Sequence, residues 1–296
     1  MPIQLILSDL DGTLLTSEKG ISPGTLAALE RATAMGVHFV PSSGRFFEGM
    51  PQQVRQLPFV RYAIEVNGAW VRDVWENKVL YRAEMSADQV LAVYDYLDTL
   101  PVVYDTYRES RGYMDAAMHA RLDEFLAEFK QPERVKALRK PVENLRSIIA
   151  DENWSSQRVQ AYFNDMDLLR EQEKAIQERF PTLLVTNSNP TTLEITAGGA
   201  SKGQALAALC AYLGVDIGDT IAFGDRDNDS DMLLAAGIGV AMGNAVEELK
   251  AVADYITDSN DEDGIARAIE RFVYAEGDAP GASVQHDSPP PTSREK

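Results

Sequence analysis

The sequence predicts an α/β protein: a doubly wound parallel sheet interrupted by an inserted α+β segment. Two observations support this prediction. In the first 80 residues and again from residue 189, short apolar runs alternate with helical patterns and are joined by short connections, an order typical of parallel strands linked by helices. Between residues 83 and 188, the order changes to helices mixed with short strands. The 296 residues are enough for two domains.

The first predicted strand lies in IQLILSDLDGTLL, residues 3–15, where four aliphatic residues run into two aspartates. A run of this many apolar residues indicates a strand that is buried on both faces. The next element is a helix, with Ser22 as its N-cap, Pro23 in its first turn and Gly36 at its end. The runs VHFV and YAIEV then predict the second and third strands of the sheet.

The inserted segment opens with the helical pattern ADQVLAVYDYLDTL and contains three runs that predict strands, LRSIIA, RVQAYF and TLLVT. After it, the alternation resumes with the strand LEITA, the helix KGQALAALCAYLG and the strand TIAFGD. We therefore expect a core domain over residues 1–82 and 189–275, and a second domain over residues 83–188. Residues 276–296 contain four prolines and one large aliphatic residue, so they are predicted to be disordered.

Composition and charge argue against several classes of function. A net charge of −18 opposes binding to nucleic acid or to an anionic membrane surface, and no apolar run approaches the ~18 residues of a membrane helix. The N-terminus shows no export signal. The single cysteine, Cys210, excludes an internal disulfide and a multi-cysteine zinc site. These features predict a cytoplasmic protein, and they give no indication of the oligomeric state.

Four polar clusters lie at the ends of predicted core elements. Three follow strands and one opens a helix: residues 9–13 (DLDGT), 42–45 (SSGR), 201–203 (SKG) and 224–229 (GDRDND). Singly, each has an ordinary explanation, as a turn, a helix cap, a solvated lysine or a polar loop. In an open α/β sheet, however, ligands bind outside the carboxyl ends of the strands. Together and in this order, the four clusters predict a single reactive site.

The acidic residues of these clusters are those of phosphoryl chemistry. Asp9 and Asp225 can hold a hard cation such as Mg²⁺, which would also relieve the repulsion between Asp9 and Asp11. A carboxylate at Asp9 can attack phosphorus and form an aspartyl-phosphate. The leaving alkoxide then needs a proton, and the carboxyl group of Asp11 can supply it.

Phosphate itself can be bound by the remaining groups of the clusters. Lys202 supplies a positive point charge and the Ser43 hydroxyl supplies a hydrogen-bond donor. The backbone N–H groups of Leu10 and Gly44 add further donors. These residues therefore predict phosphoryl transfer from a phosphate ester, with Mg²⁺ as the cofactor.

At these positions the chain resembles the haloacid dehalogenase-like hydrolase superfamily, whose signature begins DxDGT. The stretches GDRDNDSDM, SKG, NGA (residues 67–69) and DGIARAI are similar to those of its Cof-type subfamily of small-molecule phosphatases. The resemblance covers about residues 1–82 and 189–274. It implies a Rossmann-like core with an α/β cap domain, and residues 83–188 lie where that cap is inserted. One departure is SSGR, where the subfamily usually has ATGR; Ser43 keeps the hydroxyl.

The resemblance also implies a role for each matching residue. Asp9 would be the nucleophile and a Mg²⁺ ligand. Asp11 would be the general acid/base, with its backbone carbonyl on the metal. Asp225 would be the second carboxylate ligand, and Asp229 would support the metal site. Phosphate would be bound by the backbone of Leu10 and by four further residues: Ser43, Gly44, Lys202 and Asn228.

These expectations describe a Mg²⁺-dependent phosphatase of a small phosphorylated metabolite, with a sugar phosphate as the first candidate, acting through an aspartyl-phosphate. Two alternatives stay open: a phosphomutase, which passes the phosphate to a sugar, and a ligand-binding regulator of the same fold without turnover. Pyridoxal phosphate, a flavin nucleotide and a polyol phosphate are alternative substrates. In the insert, an aromatic and basic cluster is compatible with substrate contact or with packing: Tyr104, Tyr107, Arg108, Arg111 and Tyr113.

Overall fold

The computed structural model describes residues 2–109, 111–129 and 131–274; the tail predicted to be disordered, residues 276–296, lies outside the described residues. The described residues contain fourteen strands: β1 (Leu5–Asp9), β2 (His38–Ser42), β3 (Tyr62–Glu65), β4 (Trp70–Asp73), β5 (Lys78–Arg82), β6 (Val103–Arg108), β7 (Arg111–Asp115), β8 (Arg139–Val142), β9 (Arg158–Tyr162), β10 (Leu183–Asn189), β11 (Thr192–Ala197), β12 (Thr220–Gly224), β13 (Ile238–Ala241) and β14 (Tyr255–Ile256).

The same residues contain eleven α-helices: α1 (Pro23–Ala34), α2 (Gln52–Arg55), α3 (Ala87–Leu97), α4 (Ala116–Arg121), α5 (Pro132–Ala137), α6 (Leu145–Asp151), α7 (Met166–Arg179), α8 (Lys202–Leu213), α9 (Ser230–Ala235), α10 (Glu247–Lys250) and α11 (Gly264–Phe272). Within the described part of the chain, no helix is both long and apolar enough to cross a membrane.

The strands form two sheets. The first sheet has eight strands in the order β14-β13-β12-β1-β2-β3-β4-β5, and the second has six in the order β10-β11-β9-β6-β7-β8. In the first sheet, the strands from β14 to β3 run parallel, while β4 and β5 form an antiparallel edge. The second sheet is antiparallel except for the pair β7–β8. The predicted fold class, a parallel α/β core with an inserted α+β part, is confirmed.

Local sequence signals account for the central strand and the first helix. Leu5, Ile6 and Leu7 of β1 are fully buried, as expected for a strand covered on both faces. Helix α1 begins where the caps predict: the Ser22 hydroxyl accepts a hydrogen bond from the Thr25 N–H, and proline is the first helical residue. Helix α1 lies in the connection between β1 and β2, which are parallel neighbours in the first sheet.

Two strand predictions differ from the structure. LRSIIA lies in helix α6, because Leu145 and Ile149 are one helical turn apart and both are buried. LEITA is a strand, β11, but it pairs with β9 and β10 of the second sheet. The connection between β10 and β11 is too short for anything but an antiparallel neighbour. The second sheet therefore extends to Ala197, beyond the boundary at residue 188 that the sequence suggested.

A small apolar cluster joins the two sheets. We call it the junction cluster; its buried members are Phe46, Val66, Ala69, Trp70, Ala83, Tyr107 and Ala200. The ring of Phe46, just after the second polar cluster, stacks on the ring of Tyr107 from β6, with centroids 5.7 Å apart and planes 21° apart. Such aromatic contacts combine apolar burial with a preferred geometry. Tyr107 therefore has a packing role at the junction, which was one of its two sequence interpretations.

Candidate active site

The carboxyl ends of three neighbouring parallel strands bring three of the predicted clusters together. Strand β1 pairs with β2 on one side and with β12 on the other, and Asp9 lies level with Ser42. Asp9 is the last residue of β1, Ser42 of β2 and Gly224 of β12. Because parallel strands end at a common edge of the sheet, the loops that follow them line one crevice.

Lys202 forms the centre of the site. Its Nζ lies 2.6 Å from Asp9 Oδ1 and 2.6 Å from Asp229 Oδ1, and only 1% of the residue is exposed. Lys202 is the first residue of α8, whose N-cap Ser201 accepts a hydrogen bond from the Gln204 N–H. The third cluster therefore meets the first and the fourth at a buried lysine that is paired with two aspartates.

In the loop after β12, backbone N–H groups bind a carboxylate of the same loop. Asp229 Oδ2 accepts hydrogen bonds from the backbone N–H groups of Asp225 at 3.0 Å and Arg226 at 3.1 Å. Asp225 Oδ1 accepts a hydrogen bond from the Thr13 hydroxyl at 2.9 Å. These bonds hold both carboxylates of the fourth cluster beside the loop DLDGT of the first.

Gly12 allows this close approach. Its φ of +87° lies in the left-handed region, and a Cβ at this position would lie 2.4 Å from Asp225 Oδ2. No other residue type satisfies both requirements, since every side chain adds that Cβ and disfavours the backbone conformation. The glycine of DLDGT thus serves the contact between two clusters as well as the turn.

Asp11 lies apart from the buried carboxylates. Its Oδ1 is 2.9 Å from Lys19 Nζ, and its Oδ2 is 2.5 Å from Arg45 Nη2. Its side chain is 39% exposed, whereas Asp9 is largely buried. The two aspartates of DLDGT therefore occupy different electrostatic environments, one beside a buried lysine and one between two cations at the mouth of the crevice.

The predicted phosphate-binding residues lie on the loops around this crevice. Ser43 and Gly44 follow β2, and the Ser43 hydroxyl accepts a hydrogen bond from the Arg45 N–H at 3.2 Å. Leu10 follows Asp9 and is fully buried. The Asn228 amide donates to the Asn67 side-chain oxygen at 3.4 Å. The binding roles of these residues stay predictions.

Three carboxylates of the site are suited to a divalent cation. Asp9, Asp225 and Asp229 each present an oxygen, and these three oxygens lie within 4.8 Å of one another. Carboxylate oxygens are the ligands that Mg²⁺ prefers in proteins. Both oxygens of Asp229 already accept hydrogen bonds, so Asp9 and Asp225 are better placed as direct ligands and Asp229 as their support.

Burial and crowding shift the pKa values of the site. Burial raises the pKa of Asp9 to about 7; Lys202 opposes this rise and Asp229 adds to it. Burial also raises the pKa of Asp225 to about 6, with a contribution from Asp229. Burial alone would lower the pKa of Lys202, but Asp229 and Asp9 together raise it. Strongly perturbed groups gathered in a crevice are typical of functional sites.

Sequence reasoning did not anticipate several partners of these groups. Thr13 and Arg45 lie inside two of the quoted clusters, so their positions in DGT and SSGR were the available signal. Lys19 lies in a turn with a positive φ of 65°, and no sequence pattern connects it to Asp11. A hydrogen bond from Asn67 to Glu194 of the second sheet was also not foreseen.

Comparison with known proteins identifies the family. A sequence model of the haloacid dehalogenase-like hydrolases matches residues 6–269. The chain belongs to this family. The resemblance inferred from the motifs is thereby confirmed, and the hydrolase fold accounts for both the parallel sheet and the site at its carboxyl edge.

Individual relatives cover almost the whole chain. The 5-amino-6-(5-phospho-D-ribitylamino)uracil phosphatase YcsE of Bacillus subtilis is 30% identical over 273 residues, which are 92% of this chain and 96% of the relative. A haloacid dehalogenase-like hydrolase of Bacteroides thetaiotaomicron is 29% identical, with a TM-score of 0.74 over 91% of this chain and 99% of that one. The subclass IIB sugar phosphatase BT4131 is 25% identical, with a TM-score of 0.74 over 91% and 98%.

The contact between Gly12 and Asp225 predicts the effect of Gly12→Ala. Backbone strain in the left-handed region costs about 1–2 kcal/mol, and the added Cβ must also displace the Asp225 carboxylate. Gly36→Ala is the matched control, because Gly36 has a φ of +93° and nothing within 4 Å of a Cβ. We expect urea denaturation to show a larger loss for Gly12→Ala. Equal losses would contradict the packing role of Gly12.

The raised pKa of Asp225 predicts a pH-dependent stability in the presence of a metal chelator. The folded state holds the proton up to a pKa of about 6 and the unfolded state only to about 3.8. Stability from this group is therefore lost as the pH rises through this window. Asp225→Asn, which removes the charge, should raise Tm at pH 8 by roughly 2–4 °C and by less at pH 5.

Asp227→Asn, at an exposed aspartate of the same loop, is the control for this measurement and should shift Tm little at either pH. A calorimetric shift for Asp225→Asn that is the same at pH 5 and pH 8 would show that the Asp225 carboxylate carries no burial penalty in the folded protein.

Proposed function

We propose that this chain is a Mg²⁺-dependent phosphatase that hydrolyses the phosphate monoester of a small metabolite through an aspartyl-phosphate on Asp9. The observation that carries the proposal is the buried ion pair of Lys202 with Asp9 and Asp229 at the carboxyl edge of the parallel sheet. It combines a carboxylate nucleophile with a fixed positive charge, at the position where open α/β sheets bind ligands.

The acidic cluster gives the cation its place in this proposal. Asp9, Asp225 and the backbone carbonyl of Asp11 would be the ligands, and Asp229 would hold Asp225 in position through its hydrogen bond to the Asp225 N–H. When bound, a divalent cation neutralises negative charge on the phosphate oxygens and on the carboxylates. The protein's own side chains would carry out the bond-forming and proton-transfer steps.

Asp9 begins the reaction. Lys202 holds Asp9 Oδ1, which leaves the other carboxylate oxygen to attack phosphorus. The new O–P bond forms as the P–O bond to the leaving group breaks, and the carboxyl group of Asp11 donates a proton to the departing alkoxide. Water then attacks the aspartyl-phosphate, Asp11 takes the proton from that water, and phosphate leaves with Asp9 restored.

The position of Asp11, rather than its two ion pairs, supports its role as the proton carrier. Asp11 is partly exposed and lies at the mouth of the crevice, where a leaving group would enter solvent. Arg45 and Lys19 hold its two oxygens in the free protein. The phosphate oxygens would be surrounded by groups whose loops border the same crevice: Ser43, Gly44, the backbone of Leu10, and Asn228.

The proposed substrate is a phosphate carried on a polyhydroxylated chain, with a sugar phosphate as the first candidate. BT4131 is a sugar phosphatase, and the relative from Bacillus subtilis acts on a ribitylamino compound whose phosphate lies on a polyol chain. The second sheet is the proposed cap: it contacts the loops of the site through Tyr107 and Glu194. We expect the residues of this cap to select the substrate, while the residues of the core perform the reaction.

The proposal predicts Mg²⁺-dependent release of phosphate from p-nitrophenyl phosphate, lost on chelation. Asp9→Asn should abolish turnover, because an amide cannot form the acyl phosphate that the proposal places on Asp9. Asp11→Asn should lower kcat by about 10²–10⁴-fold through the loss of proton transfer, while an acyl phosphate still forms slowly on Asp9. A panel of sugar and polyol phosphates, ranked by kcat/KM, then identifies the substrate class.

Asp227→Asn serves as the control for these variants, since it removes an exposed aspartate to which no role is assigned. Wild-type protein that releases no phosphate from any member of the panel with Mg²⁺ would sink the proposal. Trapping of the phosphoryl group on a residue other than Asp9 would overturn the assignment of the nucleophile.

A further inference from the structure

The turn Val66–Gly68, which we call the Asn67 turn, has no role in the mechanism above. Its three residues all have positive φ values, 49°, 51° and 97°. Asparagine and glycine tolerate this conformation, but a β-branched valine does so only when its surroundings impose it. The turn contains the NG of the NGA motif, so the feature singled out in the sequence coincides with a constrained segment of backbone.

The Asn67 turn contacts three of the four polar clusters. The Asn67 N–H donates to the Ser43 carbonyl at 3.0 Å, and the Asn67 side-chain oxygen accepts from the Asn228 amide at 3.4 Å. A Cβ on Gly68 would lie 2.1 Å from the Ser201 carbonyl oxygen. The turn therefore lies directly against the loop of Ser43, the loop of Asn228 and the start of the helix that carries Lys202.

The same asparagine is also bound from the second sheet. Its Nδ2 donates to Glu194 Oε2 at 3.1 Å. Glu194 belongs to β11 and is 5% exposed, and its Oε1 lies 2.8 Å from Nη1 of Arg158 on β9. A carboxylate held by a buried arginine is fixed in position, so the Asn67 amide meets a rigid acceptor.

We propose that Asn67 is a positioning residue through which Glu194 of the second sheet orients the phosphate-binding groups of the first sheet. The bond to Glu194 assigns the Asn67 Nδ2 atom to the second sheet and turns Oδ1 toward Asn228. The side chain of Asn228 and the loop of Ser43 then keep their positions relative to each other only when the second sheet is in place. This inference rests on the proposed function, because it concerns how the phosphate site is assembled.

Asn67→Gly tests the inference, because glycine accepts the left-handed backbone and removes only the amide. Loss of a hydrogen bond to a charged group should lower kcat/KM for p-nitrophenyl phosphate about tenfold. The inhibition constant of orthovanadate, which mimics the phosphoryl group, should rise by a similar factor. A variant that merely folded less well would lower kcat and leave that inhibition constant unchanged.

Asn153→Gly is the matched control: Asn153 is exposed, and its φ of 48° is also left-handed. It should keep kcat/KM and the vanadate inhibition constant within twofold of the wild type. Glu194→Gln provides a second route if Asn67→Gly proves unstable, since glutamine keeps the shape and an acceptor oxygen. We expect it to weaken vanadate binding about threefold, and to have no effect when Asn67 is already glycine.

Independent effects of the two substitutions, multiplying in the double variant, would overturn the inference, because Glu194 would then act by another path. So would an Asn67→Gly protein with unaltered vanadate inhibition. In both cases active wild-type enzyme leaves the proposed function standing. An inactive wild type would overturn the proposed function and, with it, this inference.

Discussion

The interaction on which the rest of the site depends is the pairing of one buried ammonium group with two carboxylates. Lys202 is paired with Asp9, 193 positions earlier in the chain, and with Asp229, 27 positions later. Removing one partner of a buried pair leaves an uncompensated charge, which costs about 3–5 kcal/mol. The contact therefore requires α8 to start at the carboxyl edge of β1 and β12, and it couples the folding of the two separated core segments to the assembly of the site.

The end of strand β1 separates Asp9 from Asp11, although only one residue lies between them in the sequence. Asp9 ends β1 and points into the buried pair with Lys202, whereas Asp11 lies past the end of the strand and is held by Arg45 and Lys19. Two carboxyl groups in different environments can serve different steps of one reaction. This answers the physical difficulty of the DLDGT sequence: the two charges are neutralised by different cations from different parts of the chain.

Among the elements of the fold, what could be predicted from the sequence was local, whereas the meeting of the polar clusters was predicted from the rule that ligands bind at the carboxyl ends of parallel strands. The apolar run of β1 and the caps of α1 have mechanisms that act within a few residues, and both are confirmed. The short run LRSIIA was ambiguous because periodicity alone does not separate a brief helix from a buried strand. The pairing of β11 with β9, and the bond between Asn67 and Glu194, 127 positions apart, depend on the tertiary fold. No local pattern encodes them.

The charges of the site show why the proposed binding of phosphate would require more than the lysine. Three carboxylates face one buried ammonium group, so with all of them ionised the cluster keeps an excess of negative charge. A phosphate dianion would be repelled by it, and the surrounding protein, with a net charge of −18, provides no compensating field. Without a cation, the raised pKa values of Asp9 and Asp225 reflect burial together with the same excess of negative charge, because protonation of either carboxylate reduces it. A divalent cation would resolve both conflicts at once: it would favour the ionised form of Asp9, the proposed nucleophile, and would make the crevice attractive to an anion.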